Sequence, residues 1–263
     1  MIKTQLSDLE LLRYSRQILL PEWDMDAQLK LANARVLMIG VGGLGNPAAQ
    51  ILVRAGLGFL RLIDFDDIEE SNLQRQFLFQ SNDVGLPKVD VAARELRKIS
   101  PWATIEAINL KVNLTNLPEL LTDIDLVLDG SDNFATRDMI NQACVQAGLP
   151  LLSAAAIGLE GQIAFFKPAQ GCYRCLFGNG LDDDTRQCAE SGVLASTTAV
   201  IASLQAHHAL IYLGLGQSPL ANRLLLWNGV SMQQRVLKFA QDSNCVICSH
   251  PVFKVNPNSR KCE

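Results

Sequence analysis

Four cysteines of the chain stand in two Cys-x-x-Cys pairs, Cys172 with Cys175 and Cys245 with Cys248. Two such knuckles supply four thiolates, the number that closes a tetrahedral structural zinc site. The pairs are separated by 69 residues, far more than in a zinc ribbon, so a metal here would staple two remote segments together. A redox dithiol is the alternative, although a thioredoxin-like pair follows an early strand and needs no second pair. Of the other three cysteines, Cys144 reads as a packing residue, Cys262 as a free thiol in a polar tail, and Cys188 as a singleton outside any pair.

A second chemistry is written in Val36-Leu-Met-Ile-Gly40-Val-Gly42-Gly43-Leu-Gly45, an apolar strand running into a glycine-rich turn, with helical sequence from Ala48 to Ala55 behind it. Without side chains, a phosphate can approach the backbone, and the N–H groups at a helix start attract anions. Asp64 follows 24 positions after Gly40, at the end of the next apolar run, where an acid commonly accepts from a ribose hydroxyl; otherwise it is a surface acid at a strand end. Lys88 follows Pro87 in a first helical turn, which the helix dipole disfavours for a cation. An anionic ligand nearby would rationalise it, and so would simple exposure at a small cost. Asp132 falls just past another strand, on the side where open α/β sheets bind ligands. Arg13 and Arg16 lie on an amino-terminal helix and, taken alone, read as a solvated face.

At 263 residues, with 48% hydrophobic and 19% charged content, the chain is long enough for one large core. A net charge of −4 and a pI near 5.5 argue against nucleic acid as the main partner. No run of about 18 apolar residues and no signal-peptide core stand out, so no membrane partner is expected and cytoplasm is the default compartment.

The elements that must carry these residues follow from periodicity. Helices are expected at 7–19, capped by Ser7, at 24–34, and from Pro87-Lys88 onward, where Val89, Ala92, Leu96 and Ile99 recur at helical spacing. Strands are expected at 35–39, 59–63, 103–109, 125–128, 150–156 and 161–166, with helical sequence between the third and fourth and a helix at 134–147. The alternation predicts a Rossmann-like, mostly parallel sheet with helices on both faces. A mobile loop is expected over about 176–192, a buried helix over 192–213 with His207 and His208 packing inside it, two closing strands at 223–227 and 233–238, and a polar tail over 251–263 that reads as disordered from Asn256 onward.

Arg13-Tyr-Ser-Arg-Gln, Gly40-Val-Gly-Gly-Leu-Gly, Asp64-Phe-Asp, Ser71-Asn-Leu-Gln-Arg-Gln, Pro87-Lys, Ser131-Asp-Asn and the paired cysteine knuckles occur in one order from about residue 8 to residue 248. In this the chain resembles the ubiquitin-activating-enzyme-like adenylyltransferases of the MoeB and ThiF type. One departure is Gly130-Ser131, where that family more often has Cys-Thr; the acid at 132 is retained.

The resemblance implies a homodimeric enzyme that uses ATP with magnesium to adenylate the terminal Gly-Gly carboxylate of a ubiquitin-like sulfur-carrier protein of the MoaD or ThiS type. It implies a single ATP-binding adenylation domain over residues 1–250, completed by the zinc site. Carried over, Gly43 contacts the nucleotide and Asp64 holds the ribose. The segment Ser71, Asn72 to Arg75, together with Lys88, meets the phosphates. Arg16 reaches the partner's site, and Asp132, with Asn133 beside it, positions magnesium. Cys188 matches a loop cysteine linked to sulfur transfer in the ThiF branch and dispensable in the MoeB branch. With no rhodanese-like extension, the sulfur donor is expected to be separate, such as a cysteine desulfurase or rhodanese. An NAD-dependent oxidoreductase would explain the glycine turn and Asp64 but not Arg75, Lys88, Asp132 and the cysteines. A non-catalytic, zinc-stapled carrier-binding module would be expected to have lost part of the set Arg16, Arg75, Lys88 and Asp132.

Overall fold

Five apolar runs form parallel neighbours because helices or long connections return the chain to the same edge between them. In the computed structural model, which describes residues 2–178 and 192–249, these are β1 (Arg35–Ile39), β2 (Phe59–Asp64), β3 (Thr104–Asn109), β4 (Leu126–Asp129) and β5 (Leu151–Ile157). Three further strands, β6 (Glu160–Phe166), β7 (Arg223–Asn228) and β8 (Gln233–Lys238), extend the sheet antiparallel. The order is β3-β2-β1-β4-β5-β6-β7-β8. β1 therefore lies between β2 and β4, with Met38 in register with both Leu62 and Leu128. The strand order reverses at this point, and a ligand crevice forms off the carboxyl ends of such strands.

Alternate strand residues feed two cores. Val36, Met38, Leu60, Leu62, Leu126 and Leu128 join one with α2 (Asp24–Asn33), α3 (Gly45–Ala55), α4 (Lys88–Ile99) and α8 (Ala195–Leu215). Leu37, Ile39, Ile63, Val127 and Leu151 join the other with α5 (Leu117–Leu120), α6 (Phe134–Ala147) and α7 (Tyr173–Phe177). Leu60 and Leu126 are fully buried, and truncating either to alanine would cost about 2–5 kcal/mol. The remaining helix, α1 (Asp8–Ile18), packs on α2 and opens with a capping box in which Ser7 and Glu10 satisfy each other's backbone donors.

Four expectations are corrected. The connection between β3 and β4 holds a single helical turn, α5, because Asn113 and Asn116 bind nearby backbone groups and hold the segment in turns. The helix after the glycine turn begins at Gly45, three residues early, since the turn itself winds into it. The expected loop over 176–192 starts inside α7, which is anchored by its neighbours; residues 179–191, with Cys188, lie outside the described residues, as do the tail and Cys262. The last long helix buries one face only: His207 is exposed, and His208 is half-buried with its pKa lowered to about 4 by burial and by His207. By length and composition α8 could cross a membrane, yet it packs on α2, α3, β5 and β6. Its Gln205 Nε2 donates to the Asp129 and Leu152 carbonyls, each at 3.0 Å.

Candidate active site and cysteine cluster

The glycine turn is wedged between two strand ends. Gly40 N donates to Ile63 O at 2.8 Å and Gly130 N donates to Ile39 O at 2.9 Å. Gly40 has φ +89, and a Cβ there would meet Gly130 O at 2.8 Å; a Cβ on Gly45 would sit 1.9 Å from Gly40 O. Only glycine fits either position. No side chain caps α3 and no acid stands in its first turn; Asn46 N and Ala48 N are taken by Gly42 O and Leu44 O and Pro47 has no N–H, so among its first four residues the N–H of Gly45 is the one left for an anion.

Asp64 closes the turn from β2. One carboxylate oxygen accepts from Val41 N at 2.7 Å and the other from Asp66 N at 3.0 Å. Burial nevertheless raises its pKa above the ordinary carboxylate range, against the opposing pull of those N–H groups and of Lys88. Lys88, at the start of α4, is buried and donates to Asp66 Oδ2 at 2.8 Å. The anionic partner expected of a first-turn lysine is thus supplied by the protein. Arg75 folds back to donate to the Ser71 carbonyl at 3.0 Å, and its stem leaves little room beside Gly43, whose Cβ would lie 3.2 Å from Arg75 Cδ. Asn72 is buried and Ser71 exposed within a single 3-10 turn.

The Asp132 loop is fixed from below. Asp129, fully buried at the end of β4, accepts from Ser131 N at 2.9 Å, Ser131 Oγ at 2.6 Å and Ser153 Oγ at 2.6 Å. Arg137 donates to the Ser131 carbonyl at 2.7 Å, and its Nε lies 4.0 Å from the Asp129 carboxylate. Asp132 itself is exposed. Asn133 caps α6 by accepting from Thr136 N at 2.9 Å, and its amide donates to Asp132 at 3.1 Å. This gives Asn133 a local task that its position beside the acid did not announce.

These groups share one cavity of about 660 Å³, within the range of small-ligand sites. Its walls include Gly43, Asp64, Ser71, Asn72, Arg75, Lys88, Asp132 and Asn133. Arg16 is exposed near the end of α1 and is not among the lining residues. Residues that sequence reasoning passed over also line the wall: Gln76, Lys111, Thr136, Arg137 and Thr198. Arg137 carried a signal, a cation in the first turns of the helix that follows the acid-bearing loop. Thr198 carried none, since only the return of α8 to the sheet brings it there.

The four paired cysteines converge. Their sulfurs all lie within 4.8 Å of one another, with Cys172 to Cys175 at 3.9 Å, Cys172 to Cys245 at 3.6 Å and Cys175 to Cys248 at 3.4 Å. Tetrahedral zinc with sulfur at about 2.3 Å spaces its ligands about 3.8 Å apart, so the set fits that ion. Burial pushes Cys172 up to about 11 and raises Cys248, while Cys245, against its burial, is drawn down by the N–H groups of Cys248 and Ile247. Four thiolates so close would repel strongly unless a dication neutralised them.

A model of the ThiF family matches residues 14–247. A molybdopterin-synthase adenylyltransferase of Escherichia coli (strain K12) is 42% identical over 249 residues, which cover 93% of this chain and 98% of that protein. A sulfur carrier protein ThiS adenylyltransferase of the same organism is 41% identical over 245 residues, covering 92% and 97%. Among solved structures, E. coli MccB with ATP superposes with a TM-score of 0.82 at 29% identity, over 90% of this chain and 73% of that one.

Proposed function

The chain belongs to the ThiF family, and from that premise we propose that it is an ATP-dependent adenylyltransferase activating the carboxyl terminus of a ubiquitin-like sulfur-carrier protein. The observation that carries this reading is the meeting of the glycine turn, through Gly40, Gly42 and Gly43, with Asp64, Arg75, Lys88 and Asp132 in one cavity. An oxidoreductase has no use for the last three.

In the proposed reaction Asp64 holds the ribose, and the α3 turn with Arg75 and Lys88 receives the phosphates. A carboxylate oxygen of the carrier's terminal glycine attacks the α-phosphorus. The new O–P bond forms as the bond to the β-phosphate oxygen breaks, and pyrophosphate leaves with that electron pair. No general base is required, because the carboxylate is ionised at neutral pH. The cations act by positioning and by stabilising the charge that spreads over the phosphate oxygens. Asp132, a hard oxygen donor open to the cavity, would hold magnesium, which supplies further charge neutralisation when bound. Cys172, Cys175, Cys245 and Cys248 would hold a structural zinc that contributes folding energy rather than a reacting group.

In the same reading the enzyme works as a homodimer in which Arg16 completes the partner's cavity, and sulfur is delivered to the adenylate by a separate protein. Pyrophosphate exchange into ATP, with MoaD-like and ThiS-like carriers supplied in turn, tests it. Exchange that depends on one Gly-Gly-ended carrier is expected and identifies the pathway; no exchange with either carrier overturns the reading.

A further inference from the structure

A phosphate brought to the glycine turn finds fewer free donors than its oxygens can use, since each is a strong acceptor. The first turn of α3 leaves it the Gly45 N–H, Arg75 is bonded to the Ser71 carbonyl, and Lys88 is paired with Asp66. Gln76, the last residue of the run Ser71-Asn-Leu-Gln-Arg-Gln, lines the same cavity with Gly42, Gly43 and Arg75 and is only 3% exposed.

The fold makes little use of this amide. Gln76 Oε1 is buried and has no hydrogen-bond partner among the described residues, which opposes folding, and an apolar side chain of the same length would fill the space without that cost. The other end faces the anion seat: a Cβ on Gly42 would lie 3.7 Å from Gln76 Nε2. The backbone that carries the amide is fixed as well. Gln76 N donates to Asn72 O and Phe79 N to Gln76 O, each at 3.1 Å, and Leu78 N donates to Asn46 Oδ1 at 2.8 Å. Asn46 is the second residue of α3, so the segment bearing Gln76 is tied to the helix start on which the anion would rest.

We propose that Gln76 is a phosphate-binding residue: its Nε2 donates to a phosphate oxygen seated on the glycine turn, a neutral donor beside the cations Arg75 and Lys88. A donor held in place before the ligand arrives loses little freedom on binding, and that gain offsets the unpartnered Oε1. The assignment rests on the proposed function for the identity of the anion as the triphosphate of ATP.

Isothermal titration calorimetry on the full chain tests this, with inorganic triphosphate, ATP and adenosine as probes at constant magnesium, comparing the parent protein with Gln76→Met and Gln76→Glu. Gln76→Met keeps the length of the side chain and removes the amide, so the melting temperature of the nucleotide-free protein should be unchanged or raised. Triphosphate and ATP should each bind about tenfold more weakly, the worth of one hydrogen bond to a charged group, and adenosine should bind as in the parent. Gln76→Glu, which sets an anion against the phosphates, should weaken ATP further than Gln76→Met and again spare adenosine. Equal ATP affinity in the parent and in Gln76→Met overturns the assignment. So does an equal loss for adenosine and ATP, which would trace the effect to the fold or the base, and so does a Gln76→Met chain that fails to fold, which would make the amide structural. A parent that binds none of the three probes removes the nucleotide site and the assignment with it. Absence of carrier-dependent pyrophosphate exchange in a parent that binds ATP removes the proposed reaction and leaves the titrations to judge Gln76.

Discussion

Lys88 Nζ lies 2.8 Å from the Asp66 carboxylate, and both residues line the cavity. A buried ammonium at a helix start is opposed both by desolvation and by the dipole, so a counter-charge is needed whether or not nucleotide is present. Asp66 supplies it from a half-exposed position, and a phosphate would supply it in the loaded protein.

Asp66→Asn should therefore destabilise the nucleotide-free protein by about 1 kcal/mol, a figure reduced for the exposure of the aspartate. With saturating ATP the loss should shrink, because the phosphates take over the pairing. Urea unfolding with and without ATP measures both; equal losses in the two conditions would remove Asp66 from the account.

Asp132→Ala should abolish adenylate formation, by about a hundredfold or more, while leaving stability within about 0.5 kcal/mol, since the side chain is exposed. Pyrophosphate exchange and a thermal melt check the two halves. Full activity would take the acid out of the chemistry.

Arg16 is exposed and away from its own chain's cavity, as a residue serving a partner's site would be. Arg16→Ala and Lys88→Ala should each be inactive alone, and mixing them with subunit exchange should restore up to about a quarter of the sites in a two-fold dimer. No recovery on mixing would place any role of Arg16 within its own chain.

Glu10 links that helix to pH. Burial raises its pKa, but Lys3 and the Ser7 N–H and hydroxyl outweigh this and hold it below the ordinary value of 4.5. Because the folded pKa is depressed, the stabilisation is present above about pH 4.5 and is lost as pH falls through the folded value. Glu10→Gln should cost about 1 kcal/mol at neutral pH and flatten the acid limb of a stability profile. An unchanged acid limb would assign that limb to other carboxylates.

Cys245→Ser should lose zinc and lower the melting temperature, with a chelator producing the same shift in the parent protein. Metal analysis alongside calorimetry checks this, with a stoichiometry of one zinc per chain expected. A variant that retains one equivalent of zinc would take Cys245 out of the ligand set.

Local chemistry explains why so much was legible in the chain itself. Alternating turns and apolar runs mark the strands to within a residue or two, and Gly40, Gly45 and Asp64 declare themselves because a tight anion-binding turn tolerates few other residues. The convergence of the cysteine pairs is legible because two knuckles together offer the four thiolates of a zinc site, whereas a redox dithiol needs no second pair. Where local signals competed with tertiary contacts they failed. The helical pattern between β3 and β4 yielded to asparagine turns, and the half-exposed α8 carries a composition that reads as fully buried.

The sequence by itself determined the order of the elements, the anion-binding turn and the identity of the groups able to bind phosphate or metal, because these depend on residue type and short spacing. Only the tertiary structure decided that Lys88 answers to Asp66, that Asn133 caps α6, and that Arg137 holds the Ser131 carbonyl beneath the Asp132 loop. Those relationships exist only after the sheet has closed and two buried cores have fixed which side chains face one another, and no periodicity along a single segment encodes that.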